Sequence, residues 1–291
     1  MLAEKLTLQS PSMTTVFIRM MVSSTNTELA SGTGFFYELN DKIYLITNGH
    51  NVTGVNPETK KRLSDTHCGF PDEIEARIKT FANQEEPITP GAKLIGLHPQ
   101  PSITPLYQDQ DYLKPTWLIH PKFGYDVDVV ALYICDKNQI PNHLSITPIN
   151  TLKFENEVPV SVSDDVFVLG YPYKLNGTME LPIWKRGSIA TEPSFDLDKL
   201  PKILIDTATR PGMSGSPVIY QRTGVMNRGY SKELNPDSII GTIRGFLGVY
   251  SGRIGAKDKF DAQLGIVWKE EVISDIINGN VKGTCEFQNY L

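Results

Sequence analysis

Cysteine is scarce: Cys68, Cys135 and Cys285 are the only three in 291 residues, and they stand far apart. An odd number without a C-x-x-C pair argues against a disulfide-stapled scaffold, a zinc ribbon or a redox motif. Reduced, structural cysteines are expected. Excess positive charge is lacking too, with 28 Lys and Arg against 33 Asp and Glu and a formal net charge of −5. A nucleic-acid binder usually carries a basic patch or stripe. The longest basic run here, Lys60-Lys61-Arg62, neighbours acidic residues and reads as a solvated loop. No uninterrupted apolar run reaches the roughly 18 residues of a spanning helix. The N-terminal stretch lacks the basic start and apolar centre of a secretory signal. A cytoplasmic, soluble protein is therefore expected, with no membrane and no nucleic acid among its partners. His67, His98 and His143 show no metal-ligand spacing with one another or with the cysteines, so no metal and no cofactor is expected.

Long amphipathic helical patterns are also missing, which disfavours a parallel α/β sheet. Short apolar or alternating runs take their place: Thr15-Val22, Gly34-Leu39, Ile43-Thr47, Val129-Ile134, Val166-Leu169, Ile203-Asp206, Val218-Tyr220, Ile239-Ile243, Phe246-Tyr250 and Ala262-Val267. The 23 Gly and 20 Pro cluster between them. Many short strands with such punctuation predict an all-β sandwich or barrel. One helix is expected over 269–277, with Val272, Ile273, Ile276 and Ile277 on one face and Gly279 as its stop. The stretch from about Gly54 to Thr116 is the least regular, carrying Pro57, Pro71, Pro87, Pro90, Pro99, Pro101, Pro105 and Pro115. Within it, Glu73-Phe81 alternates as an edge strand would. No internal repeat or low-complexity tract is visible.

Three segments carry candidate chemistry. In Leu45-Ile46-Thr47-Asn48-Gly49-His50, an apolar strand runs into a polar turn ending on His50. An imidazole at a strand end can titrate near neutrality and act as a general base; taken alone it reads equally as a surface histidine. In Asp126-Val127-Asp128-Val129-Val130-Ala131-Leu132, Asp128 heads a core strand. A carboxylate there is costly to bury unpaired, and an imidazole N–H is a fitting partner. Asp126 competes for that role, but Asp128 has the better phase with the apolar strand. In Arg210-Pro211-Gly212-Met213-Ser214-Gly215-Ser216-Pro217, glycines flank Ser214 in a tight turn. Glycines let the backbone bring N–H groups close to an oxyanion, each worth roughly 3 kcal/mol of barrier. Each segment alone is an ordinary strand end or turn. Together they come in the order His, Asp, Ser, 78 and then 86 residues apart. That order, and the sequence GMSGS, differ from the Ser, Asp, His order and G-x-S-x-G elbow of α/β-hydrolases.

These residues resemble trypsin-like serine peptidases, in particular the bacterial branch with HtrA/Deg and glutamyl endopeptidases. Gly32-Thr33-Gly34-Phe35-Phe36 resembles the family's strand before the histidine, and Thr47-Asn48-Gly49-His50 its histidine turn. Asp128-Val129-Val130-Ala131-Leu132 resembles its aspartate strand, and Gly212-Met213-Ser214-Gly215-Ser216-Pro217-Val218 its nucleophile loop. Leu247-Gly248-Val249 resembles the strand that lines the cleft. The likeness implies two six-stranded antiparallel β-barrels with a C-terminal α-helix in one peptidase domain, residues 1–291. The first barrel would span about 10–145, the second about 155–268 and the helix 269–279. It leaves no room for a PDZ module.

By the same resemblance, His50 is the general base, Asp128 orients it and Ser214 is the nucleophile. The backbone N–H groups of Gly212 and Ser214 form the oxyanion hole. Ala208, Thr209, Tyr250, Ser251 and Gly252 line the S1 pocket. With Ala208 near its base, a preference for Lys or Arg is disfavoured. Thr209 and Arg253 would suit an acidic P1, while the plainer expectation is a small or apolar one. Asn51 departs from the family, which commonly has a different residue after the histidine. No basic activation site is visible. The implied partner is a protein or peptide substrate. An activating protein partner is a second expectation, since an unrestrained cytoplasmic endopeptidase would be harmful. The competing reading is a catalytically silent, protease-fold binding module. His120, before Asp128, reads as a loop histidine packing beside Trp117 in preference to a cleft residue.

Overall fold

A computed structural model of the chain describes residues 9–56, 61–62, 70–81, 97–154, 158–227, 236, 238–253 and 263–285. Lys60, His67, Cys68 and Ala262 lie outside the described residues, as do Pro57, Pro87 and Pro90.

The elements run β1 (Thr15–Val22), β2 (Thr27–Leu39), β3 (Lys42–Thr47), α1 (Gly49–Thr53), β4 (Glu73–Phe81), β5 (Leu97–Pro105), β6 (Leu118–Ile119), β7 (Val130–Asp136) and β8 (Leu144–Ser145). They continue with β9 (Asp165–Gly170), β10 (Ile183–Ile189), β11 (Lys202–Asp206), β12 (Pro217–Met226), β13 (Ile239–Arg253), β14 (Leu264–Lys269), α2 (Glu271–Gly279) and β15 (Val281–Lys282). Strands β9 to β14 close into a barrel in the order β10-β11-β14-β13-β12-β9. The other sheet runs β15-β6-β7-β3-β2-β1-β4-β5, with β8 pairing β4.

The all-β architecture of two β units matches the expectation, as does the six-stranded count of the second barrel. The first unit differs: it has nine strands among the described residues, and its hydrogen-bonded path does not close. Period-two alternation fills each unit. Val16, Ile18 and Met20 of β1 turn inward onto Leu45, Ile74 and Leu132. In the closed barrel Val166, Val168, Ile203, Val218 and Val267 do the same. A third cluster lies between the two units. It joins Phe35 and Ile46 to Phe246, Val249 and Trp268, with the rings of Phe35 and Phe246 edge to face at 5.6 Å.

Helix α2 seals that seam. Val272, Ile273, Ile276 and Ile277 are all buried in the shared cluster, as their spacing predicts. Burying each is worth about 1.5–3 kcal/mol at most. The helix begins at Glu271 and includes Gly279; the stop is Asn280, in the left-handed conformation at φ 49. Although α2 follows the last barrel strand, it packs on β6 and β7, and β15 then pairs with β6. The chain's last described turn thus crosses back to the first unit. A second, one-turn helix, α1, was not expected.

Three further expectations are corrected. Glu73–Phe81 is an interior strand, paired to β1 on one side and β5 on the other. The proline-rich stretch contains β5, because Pro99, Pro101 and Pro105 share one parity opposite Lys79, Arg77 and Glu73. All three missing N–H groups therefore face away from β4, on the sheet edge, where they cost no ladder bond. Finally, the runs at 239–243 and 246–250 are one continuous strand, β13. Among the described residues no helix is long and apolar enough to cross a membrane.

Candidate active site

Strand β3 ends at Thr47, and α1 turns His50 toward the seam between the two units. The segment before β7 brings Asp128 to it. Two bonds fix the pair: His50 N–H donates to Asp128 Oδ1 at 2.9 Å, and His50 Nδ1 faces Asp128 Oδ2 at 2.6 Å. A carboxylate only accepts, so Nδ1 carries the proton and Nε2 keeps its lone pair toward the cleft. Asp128 is 4% exposed, and its charge is met by partners rather than water. Ser251 Oγ donates to Oδ2 at 2.5 Å, and Asn48 Nδ2 donates to the Asp128 carbonyl at 2.6 Å. Asp126 is exposed and takes no part in this pairing.

Ser214 stands on the loop before β12. Its conformation depends on two glycines. Gly212 has φ +94, and a Cβ there would lie 2.4 Å from the Tyr171 carbonyl oxygen. Gly215 has φ +84, and a Cβ there would lie 2.1 Å from the Thr33 carbonyl oxygen. No other residue type fits either position.

Three successive carbonyls of this loop are tied down. Pro211 O accepts from Tyr173 N–H at 2.8 Å, Gly212 O from Thr33 Oγ1 at 2.8 Å and Met213 O from Ser216 N–H at 3.1 Å. In a planar trans peptide the C=O and the following N–H point opposite ways. Fixing Pro211 O thus aims the Gly212 N–H, and fixing Met213 O aims the Ser214 N–H. Both amides lack an acceptor among the described residues. The intervening Met213 N–H is turned back onto Arg210 O at 3.3 Å.

The first unit holds this loop. Thr33 N–H donates to Ser214 O at 2.9 Å, and Asn51 Nδ2 reaches both Thr47 Oγ1 at 2.8 Å and Ser214 O at 3.3 Å. Thr33 and Asn51 are positioning residues that the sequence reading missed. Thr33 lies within the Gly32–Phe36 motif, and Asn51 directly follows the histidine.

His50, Asp128, Ser214, Ser251, Gly252 and Arg253 line one cleft of about 340 Å³. No hydrogen bond joins Ser214 Oγ to His50 among the described residues, and such bonds often tighten only with substrate bound. Of the residues expected in S1, Ser251 and Gly252 reach this cleft. Ala208 is half-buried, while Thr209 and Tyr250 are buried and hydrogen-bonded to each other. Ser251 has its hydroxyl on Asp128, a role distinct from lining a pocket. His120 is outside the cleft. Its Nδ1 accepts the N–H groups of Lys122 and Phe123, its ring packs on Phe123, and burial lowers its pKa.

No curated protein matches the sequence. Among solved structures, the active form of the Rv3671c protease from M. tuberculosis is 18% identical, with a TM-score of 0.44. That alignment covers 95% of this chain and 87% of the other. An inactive form of the same protease is 19% identical, with a TM-score of 0.41, covering 92% of this chain and 89% of that one. The family model described as the trypsin-like peptidase domain matches residues 32–226, a span that holds His50, Asp128 and Ser214. The chain belongs to the family of the trypsin-like peptidase domain.

Proposed function

We propose that the protein is a serine endopeptidase acting through His50, Asp128 and Ser214. The observation that carries this reading is the pairing of two features in one cleft. An imidazole is locked by Asp128 through Nδ1, leaving Nε2 for the cleft, and a serine on the same cleft shares its loop with two amides that have no acceptor among the described residues. In this mechanism His50 Nε2 takes the Ser214 Oγ proton as Oγ bonds to the scissile carbonyl carbon. The carbonyl oxygen becomes an oxyanion facing the Gly212 and Ser214 N–H groups. The C–N bond then breaks, and the imidazolium returns its proton to the leaving amine. Water, deprotonated by His50, next attacks the acyl ester and releases the acid. Ser214 regains its proton from the imidazolium.

The ties on Pro211, Gly212 and Met213 all come from within the chain. They favour an oxyanion hole formed without a partner over one that awaits activation. The purified protein should therefore be labelled by a fluorophosphonate and should cleave unfolded casein unaided. Ser214→Ala should abolish labelling, and His50→Ala should slow it at least about 100-fold. Folded wild-type protein that stays unlabelled would instead support the binding-module reading. Labelling or cleavage that appears only with an added partner would support latency.

A further inference from the structure

Beside the nucleophile, the structure is filled where a peptidase of this mechanism needs room. Strand β13 runs along the Ser214 loop: Gly215 N–H donates to Tyr250 O at 2.9 Å, and Tyr250 N–H donates to Ser216 O at 2.9 Å. Tyr250 thus starts alongside Ser214, on the strand that continues into Ser251, Gly252 and Arg253 of the cleft. Its side chain turns into the barrel. It is 2% exposed and belongs to the barrel's core cluster. Its hydroxyl is bonded to Thr209 Oγ1, itself 1% exposed and five residues before the nucleophile. The facing wall is Gly265, where a Cβ would lie 2.6 Å from Tyr250 Cε2. A glycine wall opens a space between β13, β14 and the 207–214 loop, and the phenol ring takes it up.

When a peptide acylates Ser214 with its carbonyl oxygen toward the Gly212 and Ser214 amides, the side chain on the acyl side is directed into that space. This step rests on the function proposed above. We infer that Tyr250, pinned by Thr209, closes the S1 space, so that the enzyme cleaves after small side chains such as Gly, Ala and Ser. A large P1 side chain enters only by expelling a buried ring and leaving the Thr209 hydroxyl unpaired. An acidic P1 gains nothing from Thr209, whose hydroxyl is engaged, and Arg253 stands at the cleft rather than at the base of a pocket.

The test uses the full chain and peptide amides that differ only at P1, with fluorophosphonate labelling of the same preparation. Wild type should show kcat/KM for P1 Ala at least about 100-fold above that for P1 Phe. Tyr250→Ala should reduce that preference to less than about tenfold or reverse it, while Tyr250→Phe, which keeps the ring, should retain it. The wild-type profile is decisive even if Tyr250→Ala does not fold. Equal or better cleavage after Phe, or a preference for Glu or Asp, overturns the inference while leaving the serine-peptidase reading in place. Retention of the Ala preference in a folded Tyr250→Ala protein also overturns it. Wild-type protein that neither labels nor cleaves overturns the peptidase reading, and this inference with it.

Discussion

Thr33 joins the two halves of the site through three bonds. Its hydroxyl donates to Gly212 O and accepts from Tyr171 N–H at 3.3 Å, and its own N–H holds Ser214 O. It is fully buried. Thr33→Val keeps the shape but leaves the Gly212 carbonyl without its donor, at a cost of about 1–3 kcal/mol. The freed Gly212–Met213 peptide links the two peptides that carry the oxyanion amides, so losing its tie loosens the loop that aims them. We expect kcat to fall by roughly 10–100-fold with KM little changed, because the lost interaction serves the transition state. Thr33→Ser should restore most of it. Steady-state kinetics on one peptide substrate separates these outcomes. His50, Asp128 and Ser214 were legible because each stands at a strand end with a residue type that a core strand does not need. Thr33 was not, since a threonine inside a β-rich motif is what a strand prefers anyway. Ser251 was legible as a cleft residue but not as a partner of Asp128, because that contact spans 123 residues.

At the scale of elements, β4 carries a second buried ion. Lys79 is 2% exposed, with Nζ donating to Thr15 O at 2.8 Å. Burial lowers its pKa from 10.5 to about 8, with Glu180 opposing part of that shift. The unfolded chain therefore holds this proton over a range where the folded protein has released it. Lys79's contribution to stability should rise with pH from about 8 toward 10, while the thiols of Cys135 and Cys285, raised by burial, oppose it. Burial raises the Tyr171 phenol, which works the other way once tyrosines of the unfolded chain ionise near pH 10. Thermal melts across that window should show the Tm difference between wild type and Lys79→Met shifting in favour of wild type as pH rises. A difference that stays constant with pH would contradict this account. Periodicity found β4 but not its place in the sheet, since the strand outside it is written in prolines. An alternating Pro pattern reads locally as a loop, and only the pairing partner reveals that the missing donors all face outward.

For the whole molecule, the shared cluster under α2 joins the two units and serves stability, not the chemistry. Ile276 is fully buried there beside residues of both units. Ile276→Ala should cost about 2–5 kcal/mol. Denaturant melts should report that loss, and cleavage at low temperature should persist, since α2 touches none of the reacting groups. The all-β class, the closing helix and its buried stripe were readable from apolar spacing alone. The open path of the first unit was not, because closure depends on which strands meet across about 100 residues of intervening chain.

That open path leaves two rims, and both are blunt. One is β5, where Pro99, Pro101 and Pro105 remove three of the outward-facing N–H groups. The other is β15, two exposed residues long and ending on Lys282. A peptidase faces a particular hazard: any bare sheet margin can capture peptides, or a neighbour's margin. Here the prolines of β5 and the shortness of β15 make both rims poor templates. Among the described residues, these two rims compete poorly with the cleft for extended chains.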